Sequence, residues 1–325
     1  MKASIRRKYC LPNQIKIENV ERAVPKDSEV LIKVYATTVN RTDCAILTAQ
    51  PFIMRFLLGI NKPRKIILGT DFTGEVISTG ENVKSHKVGD RVFGFIDTGA
   101  ESQADFTLVN EGNLFPIPEK ISYKQAASSL EGAHYAYTFI HKVNIQAGQK
   151  ILIIGATGAI GSALLQFVNQ FDVRITATCN TKNIQLIESL GANKIYDFTN
   201  EDFTDDKEKY DFIFDTVGKS SFGKCKPLLT KKGVYISSEL GRFSQNIFFP
   251  FLTSFSNKKV IFPIPYSTKK TIPYISTLLE TEKFKPVIDR EYSLADISNA
   301  YEYVIKGQKT GNVIVNCNDT QEELL

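Results

Sequence analysis

The sequence has no C-x-x-C pair: its five cysteines, Cys10, Cys44, Cys179, Cys225 and Cys317, are odd in number and far apart. That spacing excludes a cysteine-rich zinc site and points to reduced thiols in a reducing compartment. No apolar run approaches bilayer-spanning length, and Met1-Lys2-Ala3-Ser4-Ile5-Arg6 lacks an apolar signal core. A cytoplasmic location and no membrane partner are therefore expected. No dense basic stripe interleaved with aromatics is present either, so nucleic acid is not an expected partner. The net charge of +5 comes from 40 basic and 35 acidic residues spread over 325 positions. It is too thin to argue for a polyanion and no obstacle to an anionic cofactor. Repeats and low-complexity segments are absent, and only Gln321-Glu322-Glu323-Leu324-Leu325 reads as a disordered tail. The length suggests two domains with ample chain for a core.

What is present is organised around residues 150–161, Lys-Ile-Leu-Ile-Ile-Gly-Ala-Thr-Gly-Ala-Ile-Gly. The apolar run 151–154 reads as a strand buried on both faces. Ile160, Ala163, Leu164, Phe167 and Val168 then recur at helical spacing, so the glycines sit where a strand turns into a helix. A helix N-terminus offers unpaired N–H groups and the positive end of a dipole, and a glycine turn lets phosphate approach the backbone. Gly155, Thr157, Gly158, Ala159, Ile160 and Gly161 are thus a candidate dinucleotide cradle, in G-x-x-G-x-x-G rather than the usual G-x-G-x-x-G spacing. A tight strand–helix turn without a ligand is the bland alternative.

Before this stretch the texture is β with turns. Strands are expected at 30–36, 71–77 and 88–95, the last entered by a Gly-Asp turn, with a short apolar helix around Phe52, Ile53, Met54, Phe56, Leu57 and Leu58. That helix either packs plainly or roofs an apolar pocket. After the fingerprint, strands at 173–178, 194–196, 210–215 and 233–238 alternate with helix-length segments, which predicts a parallel, doubly wound sheet. Thr181 is expected to cap a helix stopped by Gly191. The last 65 residues carry a strand near 260–262, a helix after Thr271, and a helix opened by a Ser293–Asp296 capping box. A terminal strand at 311–315 is expected to return to the first domain.

In order and spacing, Val39-Asn40-Arg41-Thr42-Asp43, residues 68–74 (Leu-Gly-Thr-Asp-Phe-Thr-Gly), residues 88–94, Ala147-Gly148-Gln149-Lys150 and the fingerprint resemble the medium-chain dehydrogenase/reductase superfamily. Leu190-Gly191-Ala192-Asn193, residues 197–203, Asp215-Thr216-Val217-Gly218 and Lys309-Thr310-Gly311-Asn312 extend the resemblance over nearly the whole chain, in its zinc-independent quinone oxidoreductase branch. The resemblance implies a Rossmann domain (119–260) beside a chaperonin-10-like (GroES-like) β-barrel domain built from 1–118 and completed by 261–325. It further implies a cleft for nicotinamide and substrate, and a homodimer.

Zinc-dependent relatives hold catalytic zinc with Cys, His and a third Cys or Glu; the matching positions here are Asn40, Thr70 and about Glu131. An amide and a hydroxyl are poor zinc donors, so no metal is expected. At the end of the second Rossmann strand Cys179, Asn180, Thr181 and Lys182 replace the carboxylate that would hold the 2′-hydroxyl of NAD, which favours NADPH unless Lys182 is merely solvated. The resemblance places Asn40, Asp43 and Thr70 at the nicotinamide end, and Val217, Gly218, Gly311 and Asn312 on the cofactor. Where the family carries a threonine for the carboxamide, this chain has Ala133-His134-Tyr135-Ala136. His134 or Tyr135 either donates to a substrate oxygen or is a buried aromatic satisfied by backbone. Phe52, Phe56, Phe248, Phe249 and Phe251 wall a flat acceptor, or lie in core or dimer interface. The expected reaction is NADPH-dependent hydride transfer to a small-molecule acceptor, a quinone or an α,β-unsaturated carbonyl. The alternatives are an alcohol dehydrogenase, zinc-dependent or nonstandard, and a nucleotide-binding protein without turnover.

Overall fold

A computed structural model describes residues 1–241 and 245–318; the expected disordered tail lies outside them. The chain forms two compact units. Met1–Glu131, Thr268–Glu280 and the segment from Ile288 build the first, and Gly132–Ser267 with Thr281–Val287 the second.

The first unit opens with strands β1 (Lys2–Ile5), β2 (Lys16–Asn19) and β3 (Glu29–Thr38), helices α1 (Arg41–Thr48) and α2 (Met54–Leu58), then β4 (Asp71–Thr79), β5 (Arg91–Phe95), β6 (Phe106–Asn110), β7 (Phe115–Pro116) and α3 (Tyr123–Ser128). Period-two alternation turns Val30, Ile32 and Val34 of β3 to one face, where they join Phe72, Val76 and Val92 in the core. Gly74 lets β4 pair closely with β3, since a Cβ there would stand 2.0 Å from the Lys33 carbonyl oxygen. Two local expectations change. The strand expected from Val88 starts at Arg91, because Gly89 (φ +91°) and Asp90 form the turn that enters it. Residues 119–131 belong to the first unit, not with the Rossmann strands, and α3 packs on β3 and β4.

Helix α4 (Glu131–His141) leads into the second unit, which holds β8 (Lys150–Ile154), α5 (Ala159–Val168), β9 (Arg174–Cys179), α6 (Ile184–Ser189), β10 (Lys194–Asp197), β11 (Tyr210–Asp215), α7 (Phe222–Cys225), β12 (Leu229–Ser237), α8 (Gln245–Leu252) and β13 (Lys259–Ile261). These strands form one parallel sheet in the order β10-β9-β8-β11-β12-β13. That order reverses between β8 and β11, the position at which doubly wound folds bind ligands beyond the strand ends. Ile151, Leu152, Ile153 and Ile154 are all buried, as a central strand covered on both faces requires. The helix-length segments after β10 and β11 carry little helix, a single 3-10 turn in the first and the four-residue α7 followed by a 3-10 turn in the second.

The chain then adds α9 (Thr268–Glu280), β14 (Ile288–Ser293), α10 (Ile297–Ile305) and β15 (Asn312–Asn316). As expected, β15 returns to the first unit and pairs antiparallel with β3, completing the order β14-β15-β3-β4-β5-β7. Ile297, Ala300, Tyr301 and Val304 of α10 bury against that sheet's core. Residues 281–287 do not follow the return, for Gln166 holds Lys285 in the second unit through both its carbonyl and its N–H.

Candidate functional site

In the second unit the fingerprint glycines divide by what each is for. Gly155 takes φ +79°, and a Cβ on it would meet the Val217 side chain at 2.6 Å. At Gly161 a Cβ would stand 2.2 Å from the Gly155 carbonyl oxygen. Those two glycines are demanded by the fold. Gly158 is different. It caps α5 at φ −71°, ψ 170°, open to any residue, and its nearest neighbour would be the Gly155 oxygen at 3.7 Å. Nothing in the fold requires glycine there, whereas a phosphate approaching the first N–H groups of α5 does. Val217, a candidate cofactor contact, packs against this turn, while the N–H groups of Val217 and Gly218 donate to Asp215 at 3.2 and 2.8 Å. The cradle fits a dinucleotide.

At the end of β9, Cys179 is fully buried and its thiol is pushed up to about 11 by burial, so it offers only backbone. Asn180 accepts from Asn183 at 2.6 Å, and Lys182 is exposed. Thr181 does not cap a helix as expected. Its hydroxyl donates to Asp197, whose Cα lies opposite Cys179 in the parallel β9–β10 register. Thr199 and Asn200 donate to the same carboxylate, and the hydroxyls of Thr181 and Thr199 hold it down to about 2. A carboxylate therefore does stand beside the Asn180–Lys182 segment, from the next strand over. Sequence reading missed it because β9 itself ends without an acid.

On α4, His134 is buried and packs edge-to-face on Tyr135, ring centroids 5.4 Å apart. Burial lowers its imidazole to about 4, so it is neutral at pH 7. Gly132 lets α4 pass the start of α5, where a Cβ would come within 2.7 Å of the Ala159 backbone. Among the phenylalanines offered as an acceptor wall, Phe249 packs on Phe222 at 5.7 Å, while Phe248 and Phe251 face solvent.

In the first unit, Asn40, Asp43 and Thr70 are linked to one another. The Asp43 carboxylate accepts the Asn40 N–H at 2.8 Å and the Thr70 hydroxyl at 3.1 Å. Asn40 in turn donates its side-chain amide to Thr38 at 2.6 Å, and Thr38 N–H donates to Asp71 at 2.7 Å. Burial and the charge of Asp71 raise the Asp43 carboxyl, and burial raises Asp71 to about 6. Three further residues complete this cluster. Thr42 donates to Glu131 Oε1 at 2.7 Å, while the other oxygen of Glu131, Oε2, is buried without a hydrogen-bond partner. Burial, followed by the charge of Asp43, pushes the Glu131 carboxyl well up. Lys309 is half-buried, donates to the Gly311 carbonyl, and has its ammonium lowered to about 8 by burial against the pull of Glu131. Gly311 and Asn312, expected on the cofactor, thus lie in the first unit, Gly311 at φ +69° and Asn312 opening β15. Glu131 was visible in the sequence only as a zinc position, and Lys309 only as part of a terminal motif.

This donor set does not fit catalytic zinc. The Asn40 amide and the Thr70 hydroxyl are both donating, to Thr38 and Asp43, and one carboxylate makes no zinc shell. Among the described residues no group of three His, Cys, Asp or Glu side chains is placed to hold a metal ion.

Comparison with known proteins adds two family matches: an alcohol dehydrogenase GroES-like domain over residues 26–140, and a zinc-binding dehydrogenase over residues 190–315. The chain is 30% identical to 2-methylene-furan-3-one reductase of Solanum lycopersicum over 306 residues, covering 90% of this chain and 73% of that one. It is 28% identical to the chloroplastic NADPH-dependent alkenal/one oxidoreductase of Arabidopsis thaliana, over 97% of this chain and 79% of the relative. Identity to quinone oxidoreductase of Homo sapiens is also 28%, over 90% of each chain. Among solved structures, the quinone oxidoreductase from Coxiella burnetii superposes with a TM-score of 0.88 at 22% identity, covering 98% of this chain and 99% of that one, a likeness of fold.

Proposed function

The chain belongs to the medium-chain dehydrogenase/reductase superfamily, and from that premise we propose that it is an NADPH-dependent, zinc-independent reductase of quinones or α,β-unsaturated carbonyls. The observation that carries this reading is the replacement of a metal-ligand set by Asn40, Thr70 and a Glu131 with one unpartnered oxygen. Without a Lewis acid, alcohol oxidation has nothing to lower the alcohol's pKa, whereas an activated acceptor needs only positioning, oxyanion stabilisation and a proton. When bound, the nicotinamide supplies the hydride.

The chain's own residues supply the rest. Gly158 and the first turn of α5 hold the pyrophosphate, and Val217 closes the turn behind it. Asp43 fixes Thr70 and the start of α1, the residues the reading assigns to the nicotinamide. Lys309, cationic below about 8, offsets negative charge that develops on the substrate, and Glu131, whose carboxyl burial pushes well up, offers its unpartnered Oε2 to a proton. Lys182 meets a 2′-phosphate. The named activity of the Arabidopsis relative supports NADPH in this role. All five cysteines are free, which supports a cytoplasmic setting, and a homodimer is proposed on the family analogy alone. A nucleotide-binding protein without turnover is the second reading, favoured by Tyr135 standing where the family carries threonine. Single-turnover assays with NADPH and a panel of quinones and enals separate the two: oxidation of bound NADPH supports the reductase, and tight binding without oxidation supports the second reading.

A further inference from the structure

From Cys44 to Thr70 the chain has no acidic residue and four basic ones, Arg55, Lys62, Arg64 and Lys65. Within the first unit this segment forms α2 and the loop after it. Five large apolar side chains stand out from it: Phe52 is 61% exposed, Ile53 63%, Phe56 62%, Leu57 65% and Ile60 59%. Apolar side chains gathered on one exposed segment mark an interaction site, unlike the single exposed residues found on any surface.

The segment is a built feature and not a loose loop. Leu58 and Gly59 are buried beneath it, the Tyr9 hydroxyl donates to the Gly59 carbonyl, and Arg64 N–H donates to the Leu58 carbonyl at 2.9 Å. The Arg55 guanidinium lies over the rings of Tyr9 and Phe52 at 5.0 and 5.4 Å, tying Phe52 to the N-terminal segment. Lys62 and Arg64 are exposed, and the exposed Lys65 donates its ammonium to the Gly99 carbonyl.

We propose that residues 52–65 dock the protein on an anionic phospholipid surface, Phe52, Ile53, Phe56, Leu57 and Ile60 entering the headgroup region while Lys62 and Arg64 meet lipid phosphates. Apolar side chains flanked by charge of one sign is the composition that seats proteins at such interfaces. A protein partner of ordinary mixed charge gives no reason for acids to be missing from the whole segment. The expectation of no membrane partner rested on the lack of a spanning run. No helix among the described residues is long and apolar enough to cross a membrane, and a surface seat needs none.

The test is co-sedimentation of the full chain with phosphatidylcholine vesicles, with and without phosphatidylserine, at low and high salt. No nucleotide or acceptor is added, so the outcome is independent of the reductase reading. Binding is expected only with phosphatidylserine, and its loss at high salt. The double substitution Lys62→Gln, Arg64→Gln should weaken it about tenfold or more, and Leu57→Ser with Ile60→Ser by a similar factor. All four side chains are exposed, so the variants should keep their fold, which circular dichroism checks. Failure of the full chain to bind phosphatidylserine vesicles, equal binding to phosphatidylcholine alone, or unweakened binding by both variants overturns the proposal. So does a Leu57→Ser effect confined to the KM for acceptor, which would make the row a substrate wall.

Discussion

Two side chains decide whether the first-unit cluster is chemical or only structural. If Lys309 must be cationic, turnover is level below about 8 and falls roughly tenfold per pH unit above it, because the ammonium is lost as pH climbs through its lowered value. Lys309→Met should flatten that limb and lower kcat by about a hundredfold, and Glu131→Gln should lower kcat with little change in nucleotide affinity. A pH–rate series on the three proteins checks both. In the other unit, on the proposed NADPH reading, Lys182 and Asp197 would pull in opposite directions on a 2′-phosphate. Lys182→Ala should reduce the NADPH-over-NADH preference in kcat/KM by about tenfold, and Asp197→Asn should increase it. Equal kcat/KM ratios in all variants would place the 2′-phosphate elsewhere. Lys182 was legible in the sequence because it follows its strand directly. Asp197 was not, since it comes from the neighbouring strand and only the β9–β10 register sets it against Thr181.

At the scale of elements, the strand–turn–helix from β8 to α5 was readable because each of its signals is local: a β-branched run, glycines, then a 3.6-residue period. What the sequence did not reveal is that its glycines differ in purpose. Gly161→Ala should cost about 1–3 kcal/mol, since its Cβ meets backbone and not a movable side chain. Gly158→Ala should leave Tm nearly unchanged yet weaken NADPH binding about tenfold, because only the ligand needs that space. Thermal melts beside nucleotide titrations distinguish the two outcomes, and an equal loss of Tm in both variants would remove the argument for Gly158. The cap at Ser293 was equally local, although it opens the 3-10 turn before α10 and lacks the reciprocal half of a capping box, since the Ser293 hydroxyl itself donates to the Asp296 carboxylate. That hydroxyl accepts the Asp296 N–H at 3.2 Å, and Ser293→Ala should destabilise the first unit by about 1 kcal/mol in denaturant unfolding. The Gly89-Asp90 turn was legible too, and only the strand's first residue was placed too early, because Val88 lies before the turn and not in the strand it enters.

For the molecule as a whole, alternation of strand and helix sufficed to assign a doubly wound sheet, and the strand order agrees with it. The division into units was harder to read. Residues 119–131 and 281–287 each pack with the unit on the far side of the expected boundary, a matter of long-range contact that no local pattern encodes. The most direct test of the account follows the absorbance of reduced nicotinamide during incubation with quinones and enals, NADPH and NADH in parallel, with a chelator in one arm. Chelator-resistant oxidation that prefers NADPH is the predicted result. Activity abolished by chelator, and restored by zinc, would contradict it.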